Sequence, residues 1–378
     1  MPFEATELRI SLQKLLIGLV LVMVPLSVVG LYITHRSEQS LEQTVGAQHR
    51  AVSQSISHTI NQFMNDRVID CTMIANETSV LESIAAANKS HKSMADAAIK
   101  DQIDHIRKNW NAADSEPALK AILTSPASRV LRRRHQIDSR FLRITVADQT
   151  GATVAATDKP VDYLQADESY WPTVYAAGRG AVTVRNALYD AASGSHYIGI
   201  AVPVQAEDTH EFIGAVYALV DIGDLLRQLA GEQRSSAAKI ILTETDGTVI
   251  MAPGVTLANG LKSEEYTAVR DALADVRGRQ TGYITTDLSN GGRNIVGFAD
   301  TGAQQENASL SWVVMVSQDM DEATAPVRAV GSFASLMVVL GLLMLTLTGV
   351  YVLLHRREEF EDIEPLGENL PPRMAPST

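Results

Sequence analysis

The chain has a single cysteine, Cys71, so no disulfide forms within it, and cysteine-rich zinc or iron–sulfur sites are excluded. Positive charge is also short. The 32 Lys and Arg face 44 Asp and Glu, a formal net charge of −12, where a nucleic-acid binder would present a basic stripe. Nucleic acid is therefore not an expected partner. Catalytic signatures are missing too: there is no HExxH, no GxSxG and no Gly-rich phosphate loop. His91 and His105 lack metal-ligand spacing, and His196 and His210 stand alone. The expectation is a non-enzyme with no cofactor and no metal. An extracytoplasmic protein without disulfides fits a bacterial envelope.

Two uncharged runs stand apart, 20 residues at 15–34 and 22 residues at 333–354. An α-helix rises about 1.5 Å per residue, so ~20 apolar residues cross a hydrocarbon core of ~30 Å. The first run exceeds the ~7–15 residues of a signal-peptide core and reads as a retained anchor. Pro25 in mid-span is tolerable, because a membrane helix re-satisfies the freed carbonyl locally. Arg9 and Lys14 precede the first run and His355, Arg356 and Arg357 follow the second, against Arg36 on the opposing flank. Positive residues favour the cytoplasmic side. The expectation is therefore a multi-pass protein of the inner (cytoplasmic) membrane, with the lipid bilayer as a partner. Residues 1–14 and 355–378 would lie inside the cell, the acidic, proline-bearing tail disordered.

Residues 35–125 read as a helical stalk. Leu41, Val52, Phe63 and Ile74 are each 11 residues apart, a period of about 3.67 per turn, and neither Gly nor Pro interrupts 47–116. This is either a signalling stalk continuing the first span or a helix packing on its own domain. A further helix over 95–123 is expected to end near Ser125 and Pro126. Strands follow. Residues 141–146 and 152–156 flank the turn Asp148-Gln149-Thr150-Gly151, a hairpin signature. The pattern recurs at 239–243 and 248–252 around Glu244-Thr245-Asp246-Gly247, with Gly151 and Gly247 96 residues apart. Each hairpin leads through an irregular stretch into three more strands, so the chain carries an internal repeat of two five-stranded α+β units.

The ordered set ITVADQTGATVAAT, DESYWPTVYAAGRGAVTV, YIGIAVPV and FIGAVYALVDIGDLL resembles the double Cache extracytoplasmic sensor of bacterial chemoreceptors and histidine kinases. The resemblance implies an α+β fold: a long N-terminal helix and two PAS-like antiparallel-sheet modules, flanked by two transmembrane helices. The sensor would span 35–329, with a membrane-distal module at 140–231 and a membrane-proximal one at 237–320. The distal module would hold a small-molecule ligand. That family continues into a cytoplasmic output domain, so the short tail implies a separately encoded signalling partner, for example a histidine kinase. A homodimer is compatible. The alternative is a ligand-binding or scaffold subunit of an envelope or transport complex.

The family's pocket maps here to 167–180 and the three strands ending at Asp221. Strand alternation places Tyr197, Gly199 and Ala201 on one face, whose small residues leave room for a guest. Tyr217 and Asp221 share a face on the next strand. Asp221 either holds an amine or hydroxyl by a charge-assisted hydrogen bond or caps the helix that begins at Ile222. Tyr170 and Trp171 either line the pocket or belong to the core. Arg185 and Tyr189 read as one face, with Arg185 either pairing an anionic ligand or standing exposed. Amino-acid-binding members carry an arginine two residues before the pocket tryptophan–tyrosine step. Glu168 stands there in this chain, which weakens an α-amino-acid ligand and leaves the ligand class open.

Overall fold

The computed structural model describes residues 12–112, 116–190, 194–234, 237–254, 260–275, 281–289, 292–301 and 311–358; the tail from 359 on lies outside them. Two compact units emerge, Met1–Gln43 with Glu322–Thr378, and Thr44–Asp321. The uncharged run 15–34 falls inside helix α1 (Leu12–Ala75), and 333–354 inside α9 (Met320–Glu358). Among the described residues, no helix is long and apolar enough to cross a membrane.

The expected stalk is four helices. After α1 the chain turns through Glu77, whose backbone is extended (φ −66°, ψ 129°), into α2 (Thr78–Lys92), α3 (Asp96–Lys108) and α4 (Glu116–Thr124). No Gly or Pro marks the first break. It is set by packing, since turning back buries Val80 and Ile84 of α2 completely, in the same core as Ile60 and Ile74 of α1. A helix ends just before Ser125 and Pro126 as expected, α4 stopping at Thr124, and the same two residues start the next, α5 (Pro126–Ile137). The Ser125 hydroxyl accepts the Ser128 N–H at 3.1 Å, and proline fits the first helical position because its missing N–H has no partner there anyway.

Two sheets follow. The distal one comprises β1 (Phe141–Asp148), β2 (Thr153–Ala156), β3 (Thr183–Asp190), β4 (Ser195–Gln205) and β5 (Phe212–Asp221), with α6 (Trp171–Tyr175) before β3 and α7 (Gly223–Arg234) after β5. The proximal one comprises β6 (Lys239–Glu244), β7 (Val249–Met251), β8 (Thr281–Asp287), β9 (Arg293–Asp300) and β10 (Trp312–Asp319), with α8 (Glu264–Asp275) between β7 and β8. The strand orders, β2-β1-β5-β4-β3 and β7-β6-β10-β9-β8, are the same order twice. The turns repeat as well. Gly151 (φ +84°) and Gly247 (φ +86°) each take the left-handed backbone that glycine adopts without steric cost. Each donates its N–H back three residues, to Asp148 and Glu244, and accepts a later N–H, from Gln165 and Ser263.

One face of both sheets closes on a shared core. Ile144, Ile198, Ile200 and Val220 of the distal sheet join Ile240, Leu242, Val314 and Val316 of the proximal one against Ile56, Ile60 and Ile74 of α1. Near the start of this contact the helix touches the proximal sheet closely. A Cβ on Gly46 would strike the Tyr283 ring, and one on Gly297 would strike the backbone of His49 and Arg50. Ser57 adds a hydrogen bond to the Asp300 carbonyl at 3.2 Å.

Candidate ligand site

The opposite faces of the two sheets differ in side-chain volume. The distal face is paved by Ala147, Ala201 and Ala215, with Gly199 beside them in β4. The proximal face is paved by Ile241, Val296, Phe298, Val313 and Met315, covered by Tyr266 and Val269 of α8. The same topology thus carries large apolar residues on one sheet, and on the other small residues with Phe212 and Tyr217 beside them, covered by Tyr170, Trp171 and Val174.

Over the small floor sits α6, short because Ala176 and Ala177 follow it in the left-handed region (φ 44° and 54°). Such backbone costs an alanine about 1–2 kcal/mol. Hydrogen bonds from Gly180 N–H to the Tyr175 carbonyl (3.2 Å) and Ala181 N–H to the Val174 carbonyl (3.1 Å) close the turn. Tyr170, just before α6, stacks flat on Tyr217 of β5, with centroids 4.1 Å apart and planes 5° apart. Its hydroxyl donates to Gln165 Oε1 at 2.9 Å. Trp171 meets the Phe212 ring edge-on at 5.8 Å, and Tyr175 does the same at 5.3 Å. Burial pushes both the Tyr170 and Tyr217 phenols above their usual range, with Arg185 pulling Tyr217 partly back, so both stay neutral.

Register explains which expected residues meet. Arg185 lies opposite Gly199, Tyr217 opposite Ala201, and Tyr197 opposite Asp221. Arg185 reaches toward Glu168, Nη1 to Oε2 3.9 Å, with both side chains about one-third exposed. The volume expected over Gly199 is taken by the Tyr217 ring itself, whose Cε2 and Cζ stand 2.9 Å from where a Cβ would be. Tyr170, Trp171, Arg185 and Tyr217 therefore form one cluster, with Glu168 at its edge.

Tyr189 does not join it. A register shift between Arg185 and Leu188 puts Leu188 opposite Tyr197, so Tyr189 turns to the other face, opposite His196, where the two rings lie 4.7 Å apart. Alternation alone had placed Tyr189 with Arg185; the bulge reverses it. Asp221 takes the capping role, its Oδ1 accepting the Gly223 N–H at 2.6 Å at the start of α7. It lines a different cleft together with Tyr189. Phe212, missed from the sequence, reaches the cluster through a second shift, between Val204 and Gln205 of β4, which alternation cannot reveal. Among the described residues, no group of three or more His, Cys, Asp or Glu is placed to hold a metal ion.

The model of the Cache domain family dCache_1 matches residues 37–327, and the chain belongs to that family. No curated protein matches its sequence. Solved structures similar to it include the ligand-binding domain of the Pseudomonas fluorescens chemoreceptor CtaA in complex with L-isoleucine (15% identity, TM-score 0.45, covering 76% of this chain and 95% of that one). The ligand-binding domain of the Pseudomonas aeruginosa PAO1 amino acid chemoreceptor PctC in complex with GABA is also similar (15%, 0.45, 71% and 97%). So is the sensory domain of the Campylobacter jejuni chemoreceptor Tlp3 with isoleucine bound (12%, 0.47, 76% and 97%). Cache domains are extracytoplasmic sensory, ligand-binding domains.

Proposed function

We propose that the chain is a membrane-anchored sensor that binds a small molecule over the distal sheet and passes its state to a separate signalling partner such as a histidine kinase. One observation carries the ligand assignment. Two sheets of the same topology present a floor of alanine in the distal module and of isoleucine, valine, phenylalanine and methionine in the proximal one. Tyr170, Trp171, Val174 and the Tyr217 ring cover the small floor, so a guest enters where this cover shifts. The edge of that floor carries opposite charges, Arg185 and Glu168. This pair suits a small zwitterion, with the guanidinium on a carboxylate and Glu168 near an ammonium. The guanidinium that amino-acid-binding relatives place at the Glu168 position would come here from β3.

Membrane anchoring rests on the two uncharged runs and on the apolar side chains that α1 and α9 expose, among them Leu21, Val22, Val28, Leu336, Val339 and Leu342. Cys71, the one native cysteine, is buried, so an introduced cysteine reports alone. With Lys100→Cys, a membrane-impermeant maleimide should label intact cells; labelling only after lysis would overturn the outside placement.

For the ligand, the full chain is screened by thermal shift against free amino acids, because binding to the folded state alone raises apparent stability. A hit should lose its shift in Arg185→Ala and in Tyr170→Ala. A hit that keeps its full shift in both variants places the ligand elsewhere.

A further inference from the structure

A second cleft, of about 350 Å³, lies where the two modules meet, at the end of the distal sheet that carries Tyr189, His196 and Asp221. Ligand pockets run from ~300 to ~1,000 Å³, so it is large enough for a small organic molecule. The end of β3 and the start of β4 supply Tyr189 and His196, the end of β5 supplies Asp221, α7 supplies Leu226, and β7 of the proximal module supplies Ile250 and Met251. The walls are apolar apart from a few polar groups, and those groups are unequal in charge.

Asp221 spends Oδ1 on the Gly223 N–H and, among the described residues, forms no ion pair. Arg227, also at the cleft, pairs instead with Asp224 of its own helix, and both of those side chains are largely exposed. His196 stands against Tyr189 with its Nε2 buried and without a hydrogen-bond partner. Burial holds its pKa below the usual 6.5 even beside Asp221, so the ring is neutral at neutral pH and does not offset the carboxylate. The cleft thus combines the Asp221 carboxylate, the Arg227 guanidinium held by Asp224 on the same wall, two aromatic rings tilted 37° to each other, and a thioether with aliphatic walls.

We propose that this inter-module cleft is a second small-molecule site, selective for an organic cation whose ammonium sits on Asp221 and whose apolar body lies between the Tyr189–His196 pair and Met251. A cation beside a carboxylate gains a charge-assisted hydrogen bond, and the Tyr189 face adds attraction for the same charge. The site is distinct from the cluster at Tyr170 and Tyr217. Its occupant touches both modules, so it binds best to the arrangement in which both walls are in place and shifts the population toward it.

The test is isothermal titration calorimetry on the full chain with three probes of one shape: phenethylamine, phenylacetate and 2-phenylethanol. The expected result is binding of the amine alone. Asp221→Asn should weaken it on the order of tenfold or more by removing the charge, while asparagine still caps α7. Ala230→Phe, at an exposed position of α7 on the cleft wall, should block it sterically. Tyr217→Ala, in the other cluster, should leave it unchanged. Equal binding of the anion or alcohol, unchanged affinity in Asp221→Asn and Ala230→Phe, loss in Tyr217→Ala, or no saturable binding of phenethylamine would each overturn the proposal.

Discussion

Tyr217 lies flat against Tyr170, and the far end of its ring covers Gly199 on the neighbouring strand. The phenol is held between a stacking partner and a backbone with no side chain.

Gly199→Ala should therefore destabilise the chain by about 1–3 kcal/mol, the usual cost of overpacking. The cost should shrink when Tyr217→Ala is present as well, because the clash needs both groups. A double-mutant cycle from denaturant unfolding reads the coupling, and additive effects would show that the ring moves aside freely.

Ala177→Gly should stabilise the chain by about 1 kcal/mol, since glycine carries no penalty at φ 54°. Thermal unfolding measures it, and a lower Tm would mean that the Ala177 methyl makes contacts that outweigh the strain.

Ser128 is fully buried and serves two segments at once: its hydroxyl donates to the Ile122 carbonyl at 2.7 Å and accepts the Ala156 N–H at 2.9 Å. Ser128→Ala leaves the Ala156 N–H unpaired and the Ile122 carbonyl with only the Ser125 N–H at 3.3 Å, and should cost about 1–3 kcal/mol. A loss well below that range would mean that water replaces the hydroxyl.

His49 of α1 is buried against the proximal sheet, and burial lowers its pKa from 6.5 despite hydrogen bonding to Ile295 and Gln318. The unfolded chain then binds the proton more readily than the folded one. The neutral ring leaves stability intact above about pH 6.5, and stability falls as pH drops from there toward the lower folded-state value. His49→Gln should flatten this acid limb in a plot of Tm against pH; an unaltered limb would assign it to other groups.

Cys71 is fully buried, and burial pushes its thiol up to about 12. It should ignore a thiol reagent such as Ellman's in the native state and react only on opening, so its labelling rate reports the stability of the α1 packing.

The repeat and the strands were legible because turn chemistry is local: Asp148 and Gly151, then Asp246 and Gly247, state the hairpins outright. The break after Ala75 was not, because what turns the chain is burial of Val80 and Ile84 against distant strands. Ser125-Pro126 was legible as a boundary but ambiguous in direction, since proline both ends and begins helices. The site divided similarly. Tyr170, Trp171, Arg185 and Tyr217 lie in the segments to which the family resemblance maps the pocket, whereas Tyr189 and Phe212 sit beyond register shifts, and one added residue reverses every face that follows.

Gly46 on the helix and Gly297 on the sheet make complementary seats, one receiving the Tyr283 ring and the other receiving the helix backbone at His49 and Arg50. Two such fittings, one carried by each partner, act as a pair of dowels. Sliding α1 by a single residue, about 1.5 Å, would bring a side chain against a surface shaped for none. The cheaper movement is for helix and proximal sheet to travel together, so a push along α1 would be carried into β8 and β9 as a displacement of the sheet.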